Sequence, residues 1–553
     1  MKKISKHRTD LLYLAGLALA VLLAVLYQQR THALWLWSDW SFHASRAEEI
    51  YQNLKAGSPL TYIATHTFHS TGVASFLFYP YLFLYPWAGL RFVLSPVNAF
   101  YGWYFLVNLA TAWLSYCCMK SFSKKALPSL LFALLYTFTP YRIYLGTAVF
   151  GEFLAVAFLP LVFLGIYEIL WRDRRKWYLL AIGGALVTYA HLLTVMLVLE
   201  FFAIIIIIKL ISDRGIEKDR LLALLKSLLA CICLVLPVIV PFLTDFVGHG
   251  VTSAKFGLSY TMSLSQLLLQ SFGFSRGWKL SPYLLFFLLA GWLWIKGRFD
   301  WTVYGLGWLS FILASTIFPW HFLSKTFLAE VQITARYLSY TGLFVSLLEA
   351  KYLANGITRL TPRKRKALTV LLPLFGVLTS CSSMYLQVQV MKHPQRLASV
   401  RRSSLTKLPQ TTISNQDYSK IFNYQVVYGE YDYYPAAAKK YRKQIARQVA
   451  LLNKKKVKLQ TKAGSNQLTY TIKSKGGKLD LPVLSYQHTR ISLNGQTVSY
   501  QVSQRGTVQI KLPKGNSRIV VSYQPAKCYY YALAFCLLSW LTLAFYIYKK
   551  HLS

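Results

Sequence analysis

The feature that most constrains this chain is a series of apolar runs, each close to 20 residues long. A helix of about 20 apolar residues spans the hydrocarbon layer of a membrane. Only 14% of the residues are charged, which is about half the share usual for soluble domains. We therefore predict a polytopic α-helical membrane protein with about 12 spanning helices. The predicted spans are 11–27, 98–119, 126–145, 150–170, 177–191, 192–211, 221–244, 282–297, 301–318, 336–354, 367–386 and 529–548.

The short basic loops predict the orientation of these helices. Loops near the cytoplasm retain Lys and Arg, and all the basic short loops fall on one side if the apolar stretch 73–94 does not fully cross. We therefore predict 73–94 to be re-entrant or interfacial, inside an outer loop 28–97. Both termini are then cytoplasmic. The first helix is predicted to remain uncleaved, because 28–33 offers no good small-residue cleavage site.

This topology divides the chain into three parts. Residues 1–386 form a transmembrane domain, 387–527 an extracytoplasmic domain, and 528–553 the last helix with a cytoplasmic tail. The outer domain contains 25 Lys and Arg against 4 Asp and Glu, a net charge of +21. It contains no cysteine, so no disulfide framework is expected there although it is extracytoplasmic.

The outer domain begins with a predicted basic helix, 434–451, and continues with short alternating strands. Asn494-Gly495 predicts a tight hairpin, because both residues tolerate positive φ. Pro513-Lys514-Gly515-Asn516 predicts a second turn. A small antiparallel β-sandwich is the expected fold. The predicted strands are 467–472, 479–484, 490–493, 497–502, 507–512 and 518–523.

A domain with this charge attracts polyanions. Outside a cell, anionic lipid headgroups or phosphate-bearing wall polymers such as teichoic acids are more plausible partners than nucleic acid. The alternative is that the charge only keeps the domain close to the membrane surface.

Acidic residues are scarce on the predicted outer face, and the first outer loop holds Asp39. On a helix, Asp39, His43 and Arg46 fall at i, i+4 and i+7, on one face. Such an arrangement can activate a hydroxyl and bind a phosphate. The alternative is that Asp39 or Ser41 caps a helix while Arg46 touches lipid phosphate.

A second acid, Glu152, lies where a helix re-enters the apolar layer. A carboxylate at that depth is costly without a partner, so it is a functional candidate. A structural pair with Arg142 is the alternative. Arg336, at the top of a predicted helix, is suited to bind a lipid-linked phosphate, and His191, at a helix hairpin, is a candidate catalytic residue. Packing or capping by His191 and snorkelling by Arg336 are the alternatives.

No nucleotide-binding loop, zinc-ligand spacing or nucleophile elbow is present in the sequence. Metal binding by Cys231 and Cys233 is not expected, because both lie in a hydrophobic run. Because the sequence has no nucleotide-binding loop, group transfer outside the membrane would need a donor group carried by a lipid. Whether a divalent metal takes part is left open.

Several short motifs carry a family resemblance. The run 39–46, Gly151-Glu152-Phe153-Leu154-Ala155, Ala190-His191-Leu192-Leu193-Thr194, Phe318-Pro319-Trp320 and Gln332…Arg336 resemble, in that order, bacterial membrane proteins called "6-pyruvoyl-tetrahydropterin synthase-related". The C-terminal part, with Gly429-Glu430-Tyr431 and Leu512-Pro513-Lys514-Gly515, resembles the outer domain of YfhO-type proteins. Both groups resemble the GT-C superfamily of membrane glycosyltransferases. The stretch Ile333-Thr334-Ala335 departs from the aromatic and proline-rich pattern usual before the arginine.

The resemblance implies a GT-C-like fold and a polyprenyl-phosphate sugar as donor. It makes Asp39 the general base or organiser of the acceptor and Glu152 a second acid. His43, Arg46, His191 and Arg336 become candidates for the donor phosphate.

The expected function is transfer of a sugar to an extracytoplasmic acceptor, such as teichoic acid or another surface glycan. A partner enzyme that makes and flips the donor is compatible with this function. The rivals are a non-catalytic protein that binds surface polymers and a lipid or polysaccharide transporter.

Overall fold

The structure is a computed structural model that describes residues 2–35, 39–252, 257–258, 261–272, 279–392, 412–423 and 430–552. The beginning of the predicted outer domain, 393–411, and the motif residue Gly429 lie outside these residues. The chain divides into two compact units. The first contains 1–35, 100–231 and 256–400, and the second contains 36–99, 232–255 and 401–553.

Helices form most of the first unit. In chain order, the α-helices of the protein are α1 (Lys2–Gln29), α2 (Trp40–Lys55), α3 (Ser75–Phe78), α4 (Tyr85–Leu90), α5 (Pro96–Ser123), α6 (Ala126–Thr137), α7 (Pro140–Ala148), α8 (Phe150–Val156), α9 (Leu159–Trp171), α10 (Tyr178–Ala190), α11 (Leu192–Asp213), α12 (Lys218–Leu234), α13 (Leu236–Pro241), α14 (Leu264–Phe272), α15 (Pro282–Ala290), α16 (Arg298–Leu313), α17 (Trp320–Leu323), α18 (Leu338–Thr358), α19 (Pro362–Lys392), α20 (Arg442–Ala446) and α21 (Lys527–Leu552).

Within the described residues, five helical stretches are long and apolar enough to span a membrane, or six if the bent pair α12–α13 counts as one span. The five are Arg8–Gln29, Phe150–Trp171, Leu192–Asp213, Pro362–Leu386 and Lys527–Lys550. These stretches make the chain a membrane protein, while the count of 12 spans remains a prediction.

Prolines explain why some predicted spans are shorter than expected. The predicted span 126–145 is divided at Phe138–Thr139, and α7 then begins with Pro140. Proline lacks a backbone N–H and is tolerated in the first turn of a helix, but not in its interior. The stretch 73–94 is likewise not one helix, since it contains only α3, a three-residue 3₁₀ turn and α4.

The second unit contains the C-terminal sheet. The strands are β1 (Leu34–Trp35), which belongs to the first unit, and β2 (Thr412–Ile413), β3 (Ala450–Leu452), β4 (Lys455–Val457), β5 (Gln460–Gly464), β6 (Gln467–Leu484), β7 (Thr489–Leu493), β8 (Gln496–Thr497), β9 (Gln501–Val502) and β10 (Thr507–Tyr523). Eight of them form one antiparallel sheet in the order β4-β3-β6-β10-β7-β8, with β5 against β6 and β9 against β10.

The long strand β6 is bent back on itself. At one end the Asn466 side chain donates to the Leu60 carbonyl and accepts from the Tyr62 N–H, and at the other end Leu484 N–H donates to the Thr71 carbonyl. An extended strand between these ends would span about 59 Å at ~3.3 Å per residue, whereas the segment from Leu60 to Thr71 reaches at most about 40 Å. The strand therefore bends, at Gly476 and Gly477, which both have positive φ.

The bend gives the sheet two halves that share one core. Leu468 and Tyr470 of the first half of β6 belong to the same buried cluster as Leu479 and Leu481 of its second half. The predicted hairpin at Asn494-Gly495 is confirmed, since both residues have positive φ and Leu493 pairs with Gln496. The predicted turn at 513–516 does not separate two strands, because these residues continue β10 through the shared bend. The predicted helix 434–451 is mostly wrong: a 3₁₀ segment and the short α20 lead into β3.

Candidate functional site

A buried carboxylate stands at the centre of a polar cluster in the first unit. Glu152, in the first turn of α8, is 1% exposed. Its Oε1 accepts hydrogen bonds from Tyr141 and Ser339, at 3.3 and 2.9 Å. Its Oε2 lies 3.5 Å from Nε of Arg336, which is 7% exposed. Glu152 and Arg336, both predicted as site residues, are therefore brought together.

Local structure explains how these partners reach one another. Arg336 lies in a 3₁₀ turn that leads directly into α18, and Ser339 is in the first turn of that helix. Tyr141 lies near the beginning of α7, one helix before Glu152. Arg142, the alternative partner, donates to Asn108 and Thr111 on α5.

Further polar contacts surround α11. His191 forms the break between α10 and α11, and its Nδ1 lies 2.8 Å from the hydroxyl of Thr194. Tyr340 of α18 donates to the carbonyl of Thr194 at 3.4 Å. Tyr337, the last residue of the 3₁₀ turn before α18, donates to Glu200 of α11 at 2.7 Å. His191 therefore has a local packing contact, as the structural alternative requires, but its side chain makes no capping hydrogen bond to the backbone of α11.

Sequence reasoning missed Glu200. It is the one acid in the apolar run 192–211, and a lone acid inside a spanning helix is a functional candidate by default. That signal was present in the sequence. Its partner Tyr337 gave no comparable signal, since it lies far away in the chain.

The second unit holds the other predicted site residues. Asp39 immediately precedes α2, in the N-cap position, although its side chain makes no capping hydrogen bond. Its Oδ2 lies 3.7 Å from Nε2 of His43, one turn later. Asp39 has 27% of its side chain exposed, whereas His43 is buried. Burial lowers the pKa of His43, although the neighbouring carboxylate of Asp39 acts in the opposite direction.

Arg46 is enclosed by protein. It has no exposed surface, and its Nη2 donates to the carbonyls of Tyr79 and Pro80 at 2.5 and 3.0 Å. The guanidinium also lies 4.9 to 5.3 Å from the rings of Phe42, Phe76 and Tyr79. Binding of a donor phosphate would require this side chain to leave both carbonyls. Its role as a phosphate ligand stays a prediction.

The helix that carries Asp39 is fixed by a buried acid. Glu49 of α2 accepts hydrogen bonds from the backbone N–H groups of Thr65, His66 and Thr67 and from two threonine hydroxyls. The side chain of His66 also contacts it, at 3.1 Å. A carboxylate with this many donors holds the segment 65–67 against α2.

The six predicted site residues thus form two groups. Glu152, His191 and Arg336 belong to the first unit, and Asp39, His43 and Arg46 belong to the second. Convergence of the two groups on one cavity stays a prediction. Within the described residues, no three His, Cys, Asp or Glu side chains come together in a way that could hold a metal ion.

The spanning helices and the C-terminal sheet define this chain as an α-helical membrane protein with a β-sheet domain. No family model matches the sequence, and no curated protein matches it. Among solved structures, the chain is similar to the arabinofuranosyltransferase AftD from mycobacteria, with a TM-score of 0.39 and 14% sequence identity. The similarity covers 67% of this chain and 26% of that one. The chain thus spans about a quarter of the length of AftD, and the similarity is too weak to define its reaction.

Proposed function

We propose that this protein is a membrane glycosyltransferase of the GT-C type. It moves a sugar from a polyprenyl-phosphate donor to an extracytoplasmic acceptor, such as teichoic acid or another surface glycan. The observation that carries the proposal is the buried pair of Glu152 and Arg336. Ionisable side chains within the membrane are expensive, and they mark sites of function.

Sugar transfer with inversion needs two things from the protein. One is a base that takes the proton of the acceptor hydroxyl, and the other is positive charge near the departing phosphate. Asp39 is the proposed base, because its carboxylate is partly exposed and adjoins the neutral, buried His43. Arg336 and His191 are the proposed phosphate ligands of the first unit. Glu152 holds Arg336 in place before the donor binds.

The roles of Arg46 and of a divalent metal are subordinate parts of the proposal. Arg46 would act only after release from the carbonyls of Tyr79 and Pro80. A partner enzyme that makes and flips the lipid-linked sugar fits the lack of nucleotide-binding motifs in this sequence.

The experiment is sugar transfer by the purified full-length protein, with Asp39→Asn as the test variant. General-base assistance is typically worth about 10² to 10⁴ in rate, so transfer should fall by that factor. Glu48→Gln is the matched control, since Glu48 is an acid of α2 whose carboxylate is already engaged by Arg91 and Gln52. Unchanged transfer by Asp39→Asn would remove the assigned base.

A non-catalytic role in binding surface polymers is the second candidate. The exposed lysines of the C-terminal sheet favour it. A strain that lacks the protein would then keep its surface glycans unaltered in composition, whereas loss of one sugar substituent that only the active protein restores would support the enzyme.

A further inference from the structure

The bent middle of the C-terminal sheet carries a concentration of positive charge. Lys473, Lys475 and Lys478 lie on β6, and Lys511 and Lys514 lie on β10; all five are exposed. We call these five residues the lysine apex. In the antiparallel register Lys478 is directly opposite Lys511, and Lys475 is directly opposite Lys514.

Like charges in directly opposed positions destabilise a sheet. The sequence has no Asp or Glu from 433 to 479 or from 481 to 553, so Asp480 is the one acid close to these lysines in the chain. The intervening acid, Asp480, is buried and receives hydrogen bonds from Arg505 and Thr507. Asp480 therefore offers these lysines no counter-charge, and an external anion can relieve the repulsion within the lysine apex.

A neighbouring hairpin adds to the charge. Asn453, at the turn between β3 and β4, bonds to the backbone of Lys478 in both directions, through its N–H and through its side-chain oxygen. The exposed Lys454 and Lys455 follow it directly. The cations thus come from three strands around one bend.

The position of the lysine apex selects between the two sources of anionic groups. Strand β10 ends at Tyr523, and the spanning helix α21 begins only a few residues later, at Lys527. From the bend at Gly515 to Tyr523, the strand covers about 26 Å at ~3.3 Å per residue. Charges on a protein surface are screened beyond about 8 Å at physiological ionic strength. Headgroups that contact the first turn of α21 therefore lie beyond one screening length from the lysine apex along the strand.

We propose that the lysine apex binds a flexible, linear polymer that carries phosphate groups along its length. Each lysine is a mobile point charge that does not require a fixed phosphate geometry. Several lysines can therefore contact successive phosphates of the same flexible polymer. The proposal rests on the proposed function only for the outward orientation of the domain. It does not require catalysis.

The test measures binding of linear inorganic polyphosphate to the full-length protein in nanodiscs of uncharged lipid. The apex variant combines Lys475→Gln, Lys478→Gln, Lys511→Gln and Lys514→Gln. The control variant removes the same charge from other exposed positions of the domain, with Lys440→Gln, Lys443→Gln, Arg447→Gln and Lys462→Gln. Thermal unfolding of both variants checks that each is folded.

The apex variant should bind polyphosphate at least about tenfold more weakly, while the control stays close to the parent protein. The slope of log affinity against log salt should fall by about 3 in the apex variant, at ~0.7 per phosphate contact. Equal losses in the two variants, or no loss in the apex variant, would overturn the proposal. The proposal would also be overturned if the apex variant lost binding only to vesicles that contain phosphatidylglycerol, because the lysines would then bind lipid headgroups.

The test also separates this inference from the proposed reaction. Asp39→Asn should bind polyphosphate as the parent protein does, because Asp39 is no part of the lysine apex. Failure of sugar transfer would therefore leave the binding result unchanged, and failure of binding would not touch the assignment of the base.

Discussion

The carboxylate of Glu152 lies 3.5 Å from the guanidinium of Arg336, and both side chains are buried in the helical unit. Taking two charges out of water costs several kcal/mol per ion, and the attraction between them offsets this only when other hydrogen bonds help. Tyr141 and Ser339 provide such bonds to the acid. The pair is therefore a costly arrangement that a purely structural role would not require.

Removing one member of the pair should destabilise the protein more than removing both. Glu152→Gln leaves the charge of Arg336 buried without its counter-ion, which costs about 3–5 kcal/mol. The double variant Glu152→Gln/Arg336→Gln should recover part of that loss. Unfolding of the purified protein in detergent measures each step of this cycle.

A control for the pair lies at the surface of the first unit. Arg174 pairs with Asp219 at 2.5 Å, and their side chains are 45% and 58% exposed, so Arg174→Gln should cost only about 0–1 kcal/mol. If Glu152→Gln also costs no more than this, the buried pair contributes little. The double variant would then show no coupling.

Arg46 provides a test between support of the loop and binding of phosphate. Arg46→Met should lower the stability of the second unit by about 1.5–3 kcal/mol, the usual value for a hydrogen bond to a charged group, because two carbonyls lose their donor. If Arg46 only supports the loop that contains Tyr79 and Pro80, the folded Arg46→Met protein should keep the Michaelis constant of the parent for the lipid-linked donor. A rise in that constant with unaltered thermal unfolding would instead assign Arg46 to the donor.

Local chemistry made part of this fold predictable. The hairpin at Asn494-Gly495 follows from the backbone preferences of its own two residues, and α7 begins where Pro140 requires a new first turn. The bend at 513–516 was not predictable in this way. It is shared with Gly476 and Gly477 on the opposite strand, and only the pairing of β6 with β10 makes Pro513 part of a continuous strand.

The candidate site shows the same limit. Glu152 was identified as a candidate because an acid in an apolar run is unusual in itself. Its bond to Ser339 depends on how distant helices pack, and no spacing rule connects those positions. The spacing on the helix predicted that Arg46 could bind a phosphate. In the structure its guanidinium is buried and donates to the carbonyls of Tyr79 and Pro80, which lie outside that helix.

His43 should make the protein less stable in mild acid. Burial lowers its pKa, against the neighbouring carboxylate of Asp39, whereas an unfolded histidine titrates near ~6.5. The unfolded chain therefore binds a proton that the folded one does not, so stability is complete above about pH 6.5 and falls as the pH drops towards the folded pKa. His43→Gln should flatten this fall in the thermal unfolding midpoint. An unaltered pH profile would show that His43 is not responsible.

His66 should have the opposite effect. Burial acts to lower its pKa, but the hydrogen bond and charge of Glu49 outweigh this and raise it. Its contribution to stability is then fully present below about pH 6.5 and is lost as the pH rises through the folded pKa. His66→Gln should lower the unfolding midpoint in mild acid and change it little in mild base. A uniform decrease at every pH would point to lost packing.

The close packing of α9 against α10 depends on a glycine. A Cβ added at Gly165 on α9 would overlap the backbone nitrogen of Leu180 on α10 and lie 2.6 Å from its Cα. Backbone atoms cannot rotate away, so Gly165→Ala should force the helices apart at a cost of about 1–3 kcal/mol. Gly305→Ala on α16 is the matched control, because nothing lies within 4 Å of its added Cβ. The Gly305→Ala variant should gain up to about 1 kcal/mol from the better helix propensity of alanine. Equal unfolding midpoints for Gly165→Ala and Gly305→Ala would contradict the close approach of α9 and α10.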